Sequence, residues 1–273
     1  MITDGATTMD DVHRIDSIWP GETGGPVIDS IAFSRDARQF QAHLATWVAP
    51  AIAPKVMNEI ARAWLHPYEL DRYAHLPVNR RQRSFLFGRM VAKAALSEWG
   101  IVAEPCEVAI TSGVFGQPVV HGSTAVGLSL SHTGNHIAAV ACDAECPLGL
   151  DIEVLDPRRS NALERVLTAG MAQLTEFGVE LPYEMALFSL WTQREALGKA
   201  IRIGLTAPET AYTLAHAAWD THTQCLRSTF STFTQFECET IFANRWVMSL
   251  AHPKNWSPTK ELIEIVSNKE DFR

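Results

Sequence analysis

Hydrophobic residues near the middle of the chain follow a period of two. Between positions 148 and 154 every second residue is apolar: Leu148, Leu150, Ile152 and Val154. This period predicts a strand whose other face carries Gly149, Asp151 and Glu153. We therefore expect two carboxylates side by side on one strand, next to a glycine that leaves room for a ligand.

Further along, the period changes to that of a helix. Apolar side chains recur at steps of three and four residues: Leu187, Leu190, Leu197 and Ile201. Gly204 and Pro208 supply a stop, so residues 184–203 are predicted to form one helix. Trp191, Glu195 and Lys199 are four residues apart and share one stripe of it.

Two interpretations fit these residues. Paired carboxylates suit a hard divalent cation such as magnesium, and a carboxylate one turn from an ammonium can complete a metal shell or act as a base. Alternatively, Glu195 and Lys199 form an ordinary surface ion pair contributing about 0.2–0.5 kcal/mol, and Asp151 and Glu153 belong to a solvated strand face. Trp191 is expected to be a packing residue.

The remaining pattern predicts two α+β halves. Helical spacing is found over three segments: Pro54–Trp64, Arg80–Trp99 (capped by Asn79 and closed at Gly100) and Asn161–Phe177. A hairpin is predicted from 126–131 through 133–135 to 137–142, and short strands from Tyr212 to His252. We expect a flexible N-terminal extension over 1–27, an N-terminal subdomain over 28–150 and a C-terminal subdomain over 151–273.

Composition narrows the class of protein. With 273 residues, 47% of them hydrophobic, the chain can bury a large core. A net charge of −8 argues against a nucleic-acid binder, and the sequence predicts no membrane span and a cytoplasmic location. The five cysteines have neither disulfide nor zinc spacing. The only dense basic cluster could meet a protein partner, a small ligand or only water: Arg80, Arg81, Arg83, Arg89 and Lys93.

Several segments together resemble the Sfp-type 4′-phosphopantetheinyl transferases. The strand at 149–153 and the helix at 191–199 match the signatures G-[IL]-D-[IL]-E and W-x-x-K-E-x-x-x-K. Four weaker segments are in the same order as in the family: 83–89, the turn 115–118, the L-S-L-S-H-T-G segment 128–134 and the strand 246–253. The similarity covers roughly residues 65–255.

This resemblance implies a fold, an activity and a site. The fold is α+β, with two subdomains related by a pseudo-twofold, each a helix packed on a small antiparallel sheet, and an active site in the cleft between them. The activity is transfer of the 4′-phosphopantetheine of coenzyme A to a serine of an acyl or peptidyl carrier protein, releasing adenosine 3′,5′-bisphosphate.

The implied residue roles are specific. Asp151, Glu153 and Glu195 match the magnesium ligands. Glu195 is expected to be the general base, directly or through a water molecule, and Lys199 to hold a phosphate and protonate the leaving group. The expected coenzyme-binding residues are Arg83, Ser131, His132 and Lys199, although a structural role for His132 or a solvated Arg83 is the alternative.

The chain departs from the family pattern at three positions. Gln117 stands where the family usually has lysine, Arg194 replaces the lysine before the catalytic glutamate, and Met171 replaces a common glutamate. A catalytically inactive relative that binds coenzyme A or a carrier, and a magnesium-dependent phosphohydrolase, are the alternative functions. A monomer is expected.

Overall fold

The structure, a computed structural model, describes residues 24–77, 80–102, 104–243 and 245–258. The described chain forms two five-stranded antiparallel sheets, each covered by one long helix. The α+β class with two helix-on-sheet halves is thereby confirmed. The pseudo-twofold between the halves stays a prediction.

The first half begins with a long hairpin and three helices. Its elements are β1 (Val27–Arg35), β2 (Arg38–Val48), α1 (Pro54–Trp64), α2 (Pro67–His75), α3 (Arg80–Ser97), β3 (Ile110–Ser112), β4 (Pro118–Val120), β5 (Val126–Thr133) and β6 (His136–Asp143). Strands β1, β2, β6 and β5 form the sheet in that order, and α3 packs on β2, β5 and β6. The β5–β6 hairpin and α1 were both predicted.

The second half starts on the carboxylate strand. Its elements are β7 (Gly149–Val154), α4 (Pro157–Glu176), α5 (Tyr183–Ala200), β8 (Leu214–Asp220), β9 (Cys225–Phe230), β10 (Phe236–Ala243) and β11 (Trp246–Pro253). The sheet order is β7-β11-β10-β9-β8, and α5 packs on β7, β10 and β11. A last strand, β12 (Ser257–Pro258), returns to pair with β1 in the first sheet.

Several predicted boundaries move. Helix α4 begins at Pro157, four residues before the predicted start, because the Asp156 carboxylate accepts a hydrogen bond from Arg158 N at 3.1 Å and caps the helix. Helix α5 ends at Ala200 rather than at 203. The subdomain boundary at 150 falls inside β7, which belongs wholly to the second sheet.

Two predictions concern residues that the structure describes only in part or not at all. Of the N-terminal extension only residues 24–27 are described; there Gly24 O accepts a hydrogen bond from Trp47 Nε1 at 3.1 Å, and Val27 opens β1. The rest of that extension and the proposed Asn79 cap lie outside the described residues.

The basic cluster on α3 does not form one exposed surface. Lys93 is 1% exposed and Arg89 7%, and both pair with Glu69 of α2, at 2.6 Å from Lys93 Nζ and 3.2 Å from Arg89 Nε. Lys93 Nζ also donates to the carbonyls of Trp64 and Pro105, each at 2.8 Å. The prediction is wrong for these two residues because the glutamate that neutralises them lies on another helix; Arg80 and Arg81 remain exposed.

A shared apolar layer joins the two halves. Leu150 and Ile152 of β7 are fully buried against residues from β2, β6 and β11. The five cysteines are free thiols, four of them buried. Across the described ranges, no helix has the length and apolarity that crossing a bilayer requires.

Candidate active site at the seam between the halves

The edge of β7 meets β5 through side-chain hydroxyls instead of a backbone ladder. Ser129 Oγ, Ser131 Oγ and Thr133 Oγ1 accept hydrogen bonds from the backbone N–H groups of residues 150, 152 and 154, at 3.0, 3.3 and 3.3 Å. Three alternate residues of β5 therefore each satisfy one N–H of the strand that carries the carboxylates. We call these three residues the hydroxyl ladder.

Ser131 also fixes the first carboxylate. Its hydroxyl donates to Asp151 Oδ1 at 2.6 Å. Asp151 is 4% exposed, and Lys199 Nζ reaches the same oxygen at 2.6 Å as well as Leu150 O at 3.0 Å. Burial raises the pKa of Asp151, while Lys199 and Ser131 favour its ionised form. Its second oxygen, Oδ2, is buried and has no hydrogen-bond partner in the described structure.

Glu153 lies further along the same strand face. Both of its oxygens accept hydrogen bonds from Arg159 at the start of α4, at 2.6 and 2.9 Å, and Thr133 Oγ1 donates to it at 3.0 Å. The two carboxylates are thus side by side, as predicted. Each is already held by a cation of its own half.

Helix α5 brings the remaining charged groups. The ion pair of Lys199 is with Asp151 across the helix–strand contact, not with Glu195 one turn away. Glu195 is half-buried, and burial raises its pKa, with further increases from the charges of Asp151 and Glu153. The three predicted ligands therefore share one electrostatic environment, and neither a solvated face nor a simple surface pair describes it.

His132 joins this group, whereas Arg83 faces elsewhere. His132 is exposed at one side; partial desolvation lowers its pKa and the charge of Lys199 lowers it further, whereas Glu153 and Asp151 raise it. Arg83 donates to Asn135 Oδ1 at 2.8 Å and to the carbonyls of Ala49 and Pro50 at 2.8 and 3.0 Å, which ties the start of α3 to the end of β2. Coenzyme binding by either residue stays a prediction.

Gly149 has a different role from the one that its position suggested. A Cβ there would lie 1.9 Å from Ala196 O and 2.5 Å from Ala200 N. The glycine lets α5 approach β7 closely instead of leaving room for a ligand. This contact brings Lys199 within reach of Asp151.

The departures at 117 and 194 have separate surroundings. The Gln117 side chain accepts a hydrogen bond from Phe115 N at 3.0 Å and so closes the turn between β3 and β4.

Arg194 lines a cavity of about 180 Å³ between α4 and α5, with its Cζ 4.9 Å from the ring centroid of Tyr212. Its Nε and Nη1 are buried without a hydrogen-bond partner in the described structure. Trp191 packs against the core of the second half, as predicted, and so does Met171.

The donor set fits a hard cation, although the side chains are not arranged as a completed shell. Oxygen ligands suit magnesium, Asp151 Oδ2 lacks a partner, and a cation would offset the mutual repulsion of the carboxylates. Among the described residues, no three His, Cys, Asp or Glu side chains already converge as metal ligands. Lys199 and Arg159 occupy the positions nearest to Asp151 and Glu153.

Sequence reasoning missed Ser129, Thr133 and Arg159 as parts of this site. A signal for the first two was present, because small polar residues alternate along a strand whose other residues are apolar. No pattern indicated that their hydroxyls would meet the edge of a strand from the other half. Arg159 precedes Asn161, the predicted start of the helix, so the first turn of α4 that carries it was not predicted.

Fold and site together define a class: an α+β protein of two helix-on-sheet halves, with a carboxylate–lysine cluster where the halves meet. Residues 72–142 match the family described as the 4′-phosphopantetheinyl transferase N-terminal domain, and residues 147–251 match the 4′-phosphopantetheinyl transferase superfamily. These two ranges cover more than half of the chain. The chain belongs to the 4′-phosphopantetheinyl transferase superfamily.

A relative supports the same assignment. Over 128 residues the chain is 30% identical to a protein of Salmonella typhi named 4′-phosphopantetheinyl transferase AcpT. The matched region is 46% of this chain and 62% of that protein. The chain thus spans less than two thirds of the length of this relative.

Proposed function

We propose that this protein transfers the 4′-phosphopantetheine group of coenzyme A to a serine of an acyl or peptidyl carrier protein. One observation carries the proposal: Lys199 Nζ of α5 contacts Asp151 of β7 at 2.6 Å, with Glu195 one turn earlier on the same helix. Positive charge and a base of raised pKa thereby stand together beside the carboxylate strand. Family membership gives this arrangement its substrate class.

In the proposed reaction one P–O bond forms, one P–O bond breaks, and one proton is transferred. The serine oxygen of the carrier attacks the phosphorus next to pantetheine, the bridging P–O bond of the pyrophosphate breaks, and adenosine 3′,5′-bisphosphate leaves. The serine proton goes to Glu195. Burial and neighbouring carboxylates raise the pKa of Glu195, which makes it a stronger base than an exposed glutamate.

The other groups position the pyrophosphate and neutralise its charge. Lys199 supplies an ammonium to the departing phosphate and can donate the proton it needs. His132, at the end of β5, provides a ring nitrogen to the same region. Ser131 acts through Asp151, which it holds in place, and Arg83 braces the β5–β6 turn through Asn135.

Asp151, Glu153 and Glu195 would hold a magnesium ion, which when bound neutralises charge on the pyrophosphate oxygens. To expose their oxygens, Lys199 and Arg159 must turn away from Asp151 and Glu153. Both cations lie at the ends of long side chains, so this rearrangement needs no backbone movement. Arg159 is in the first turn of α4, and its side chain is partly exposed.

The expected partners follow from this activity. Coenzyme A is the co-substrate, and the protein partner is a carrier whose acidic surface suits the exposed Arg80 and Arg81. A cytoplasmic location, a monomeric state and the lack of nucleic-acid binding belong to the same proposal.

The test is a transfer assay read by mass spectrometry. Several apo carrier proteins are incubated with the protein, coenzyme A and magnesium, and each modified carrier should gain one phosphopantetheine. Glu195→Ala should abolish the gain. The matched control is Glu176→Gln, which removes an exposed carboxylate of α4 and should leave the transfer unchanged.

Two outcomes would contradict the proposed transfer, and a third would contradict the role of Glu195. No modification of any carrier despite coenzyme A binding in calorimetry would indicate a protein that binds without transferring. Release of inorganic phosphate without a carrier would indicate a phosphohydrolase. Full transfer by Glu195→Ala would remove Glu195 from the mechanism.

A further inference from the structure

The end of α5 carries an arginine where glycine is strongly favoured. After Ala200 the backbone closes a Schellman motif, with Arg202 N donating to Lys199 O at 3.1 Å and Ile203 N to Gly198 O at 3.0 Å. Arg202 takes the left-handed position of this motif, with φ 60°. A side chain there makes the backbone less favourable than glycine would, and such positions cluster at functional sites.

The guanidinium of Arg202 extends across the seam to the first half. It lines a small pocket that Lys199, Gln117 and Asp143 also border, and its Nη2 lies 3.7 Å from the position that a Cβ on Gly127 would occupy. Within the described ranges, its side chain makes neither a hydrogen bond nor an ion pair, Asp143 included. The exposed cation is therefore available to a ligand.

The neighbouring polar side chains, Gln117 and Lys199, are already engaged in other contacts. The Gln117 amide is turned into its own hairpin, where Phe115 N donates to Oε1 and Nε2 lies 2.2 Å from the position of a Cβ on Gly113. Lys199 is engaged with Asp151. Arg202 thus supplies the unengaged positive charge among the residues that line this pocket.

We propose that Arg202 binds a phosphate group of coenzyme A at this pocket. The inference rests on the proposed function, because it assigns a residue to that co-substrate. A guanidinium suits phosphate through several directed N–H groups, and coenzyme A carries a 3′-phosphate in addition to its pyrophosphate. The binding contribution explains why the chain keeps arginine at a backbone position that glycine would fill better.

The experiment compares Arg202→Gly with a control that changes the backbone in the same way. Gln224 also has a positive φ, of 52°, in the exposed turn between β8 and β9, on the edge of the second sheet opposite β7. Each glycine variant relieves a left-handed non-glycine residue, so Arg202→Gly should raise Tm. In Gln224→Gly the same gain is offset in part by loss of the exposed hydrogen bond from Gln224 Nε2 to Thr221 O at 3.1 Å. Only Arg202→Gly should weaken the binding of coenzyme A, raising its Kd and KM about tenfold while kcat stays within about twofold. A tenfold change is the low end of what a charge-assisted hydrogen bond contributes. Arg202→Lys should fall between wild type and Arg202→Gly.

Dephospho-coenzyme A, which lacks the 3′-phosphate, identifies the group that is bound. If the loss disappears with this analogue, Arg202 binds the 3′-phosphate; if the loss persists, it binds the pyrophosphate. An unchanged Kd for coenzyme A in Arg202→Gly overturns the inference, as does an equal loss in Gln224→Gly.

Calorimetry keeps this test separate from the proposed function. A wild-type protein that binds coenzyme A without transferring it refutes the transferase proposal, yet the Kd values still decide the role of Arg202. A wild type that does not bind coenzyme A overturns both.

Discussion

Replacing Ser131 by alanine distinguishes a role in joining the two halves from a role in binding the coenzyme. The Ser131 hydroxyl donates to Asp151 at 2.6 Å and accepts from Ile152 N at 3.3 Å. Both groups are buried, with Ile152 fully shielded and Asp151 4% exposed. The substitution therefore leaves a backbone N–H and a carboxylate short of one partner each.

The expected cost follows from those two contacts. An unsatisfied buried N–H costs about 1–3 kcal/mol, and losing a hydrogen bond to a charged group about 1.5–3 kcal/mol. Lys199 still holds Asp151, and water can enter the space of the lost hydroxyl, so we expect a total of about 2–4 kcal/mol. For a chain of this size that corresponds to a decrease in Tm of about 2–4 °C per kcal/mol.

Ser129→Ala is the matched control. Ser129 accepts one backbone hydrogen bond, from Leu150 N at 3.0 Å. It should lose about 1–2 kcal/mol, the cost of one buried N–H. Chemical denaturation of both variants gives the difference, and the transfer assay should show decreased kcat for Ser131→Ala but not for Ser129→Ala, because only Ser131 positions a carboxylate.

Two results would refute this reasoning. Equal destabilisation of the two variants would mean that the bond to Asp151 contributes nothing. An unchanged Tm for Ser131→Ala together with a higher KM for coenzyme A would mean that Ser131 binds the coenzyme, as the sequence suggested.

Two further predictions concern the first half. Lys93→Met removes the ammonium that pairs with buried Glu69 and should cost about 3–5 kcal/mol, because the carboxylate loses a buried partner; urea unfolding measures it. For His43, burial lowers the pKa, so the native state resists the proton that the unfolded chain takes up below about pH 6.5. The contribution of His43 to the free energy of unfolding is therefore retained above that pH and lost as the pH falls. His43→Gln should reduce the decrease in Tm between about pH 7 and 5.

Each of these has its own control. Arg80→Met removes an exposed cation at the start of the same helix and should change the free energy of unfolding by at most about 0.5 kcal/mol. If Lys93→Met lowered the free energy of unfolding no more than Arg80→Met does, the buried pair of Lys93 would not be stabilising. His222→Gln changes an exposed histidine and should keep the acid sensitivity; His132 and His136 also have lowered pKa values, so His43→Gln reduces that sensitivity without abolishing it. An unaltered Tm profile for His43→Gln would contradict the linkage.

Much of the local structure could be read from the chain. The alternation at 148–154 placed Asp151 and Glu153 on one face, and the four-residue spacing put Glu195 and Lys199 on one stripe. Helix α1 matches its predicted bounds because its spacing is regular. Helix α2 was missed: it is short, and its capping box uses His66, where Glu69 accepts from His66 N at 3.0 Å, in place of the usual serine or threonine.

The sequence by itself determined which polar side chains share a face, because periodicity assigns side chains to faces within one element. Only the tertiary structure decided their partners: Lys199 with Asp151, Glu69 with Lys93, and the hydroxyl ladder with the edge of β7. These contacts join residues far apart along the chain, and a pattern within one helix or strand cannot predict them. Gly149 shows the limit most directly, since only the approach of α5 reveals why that position has no side chain.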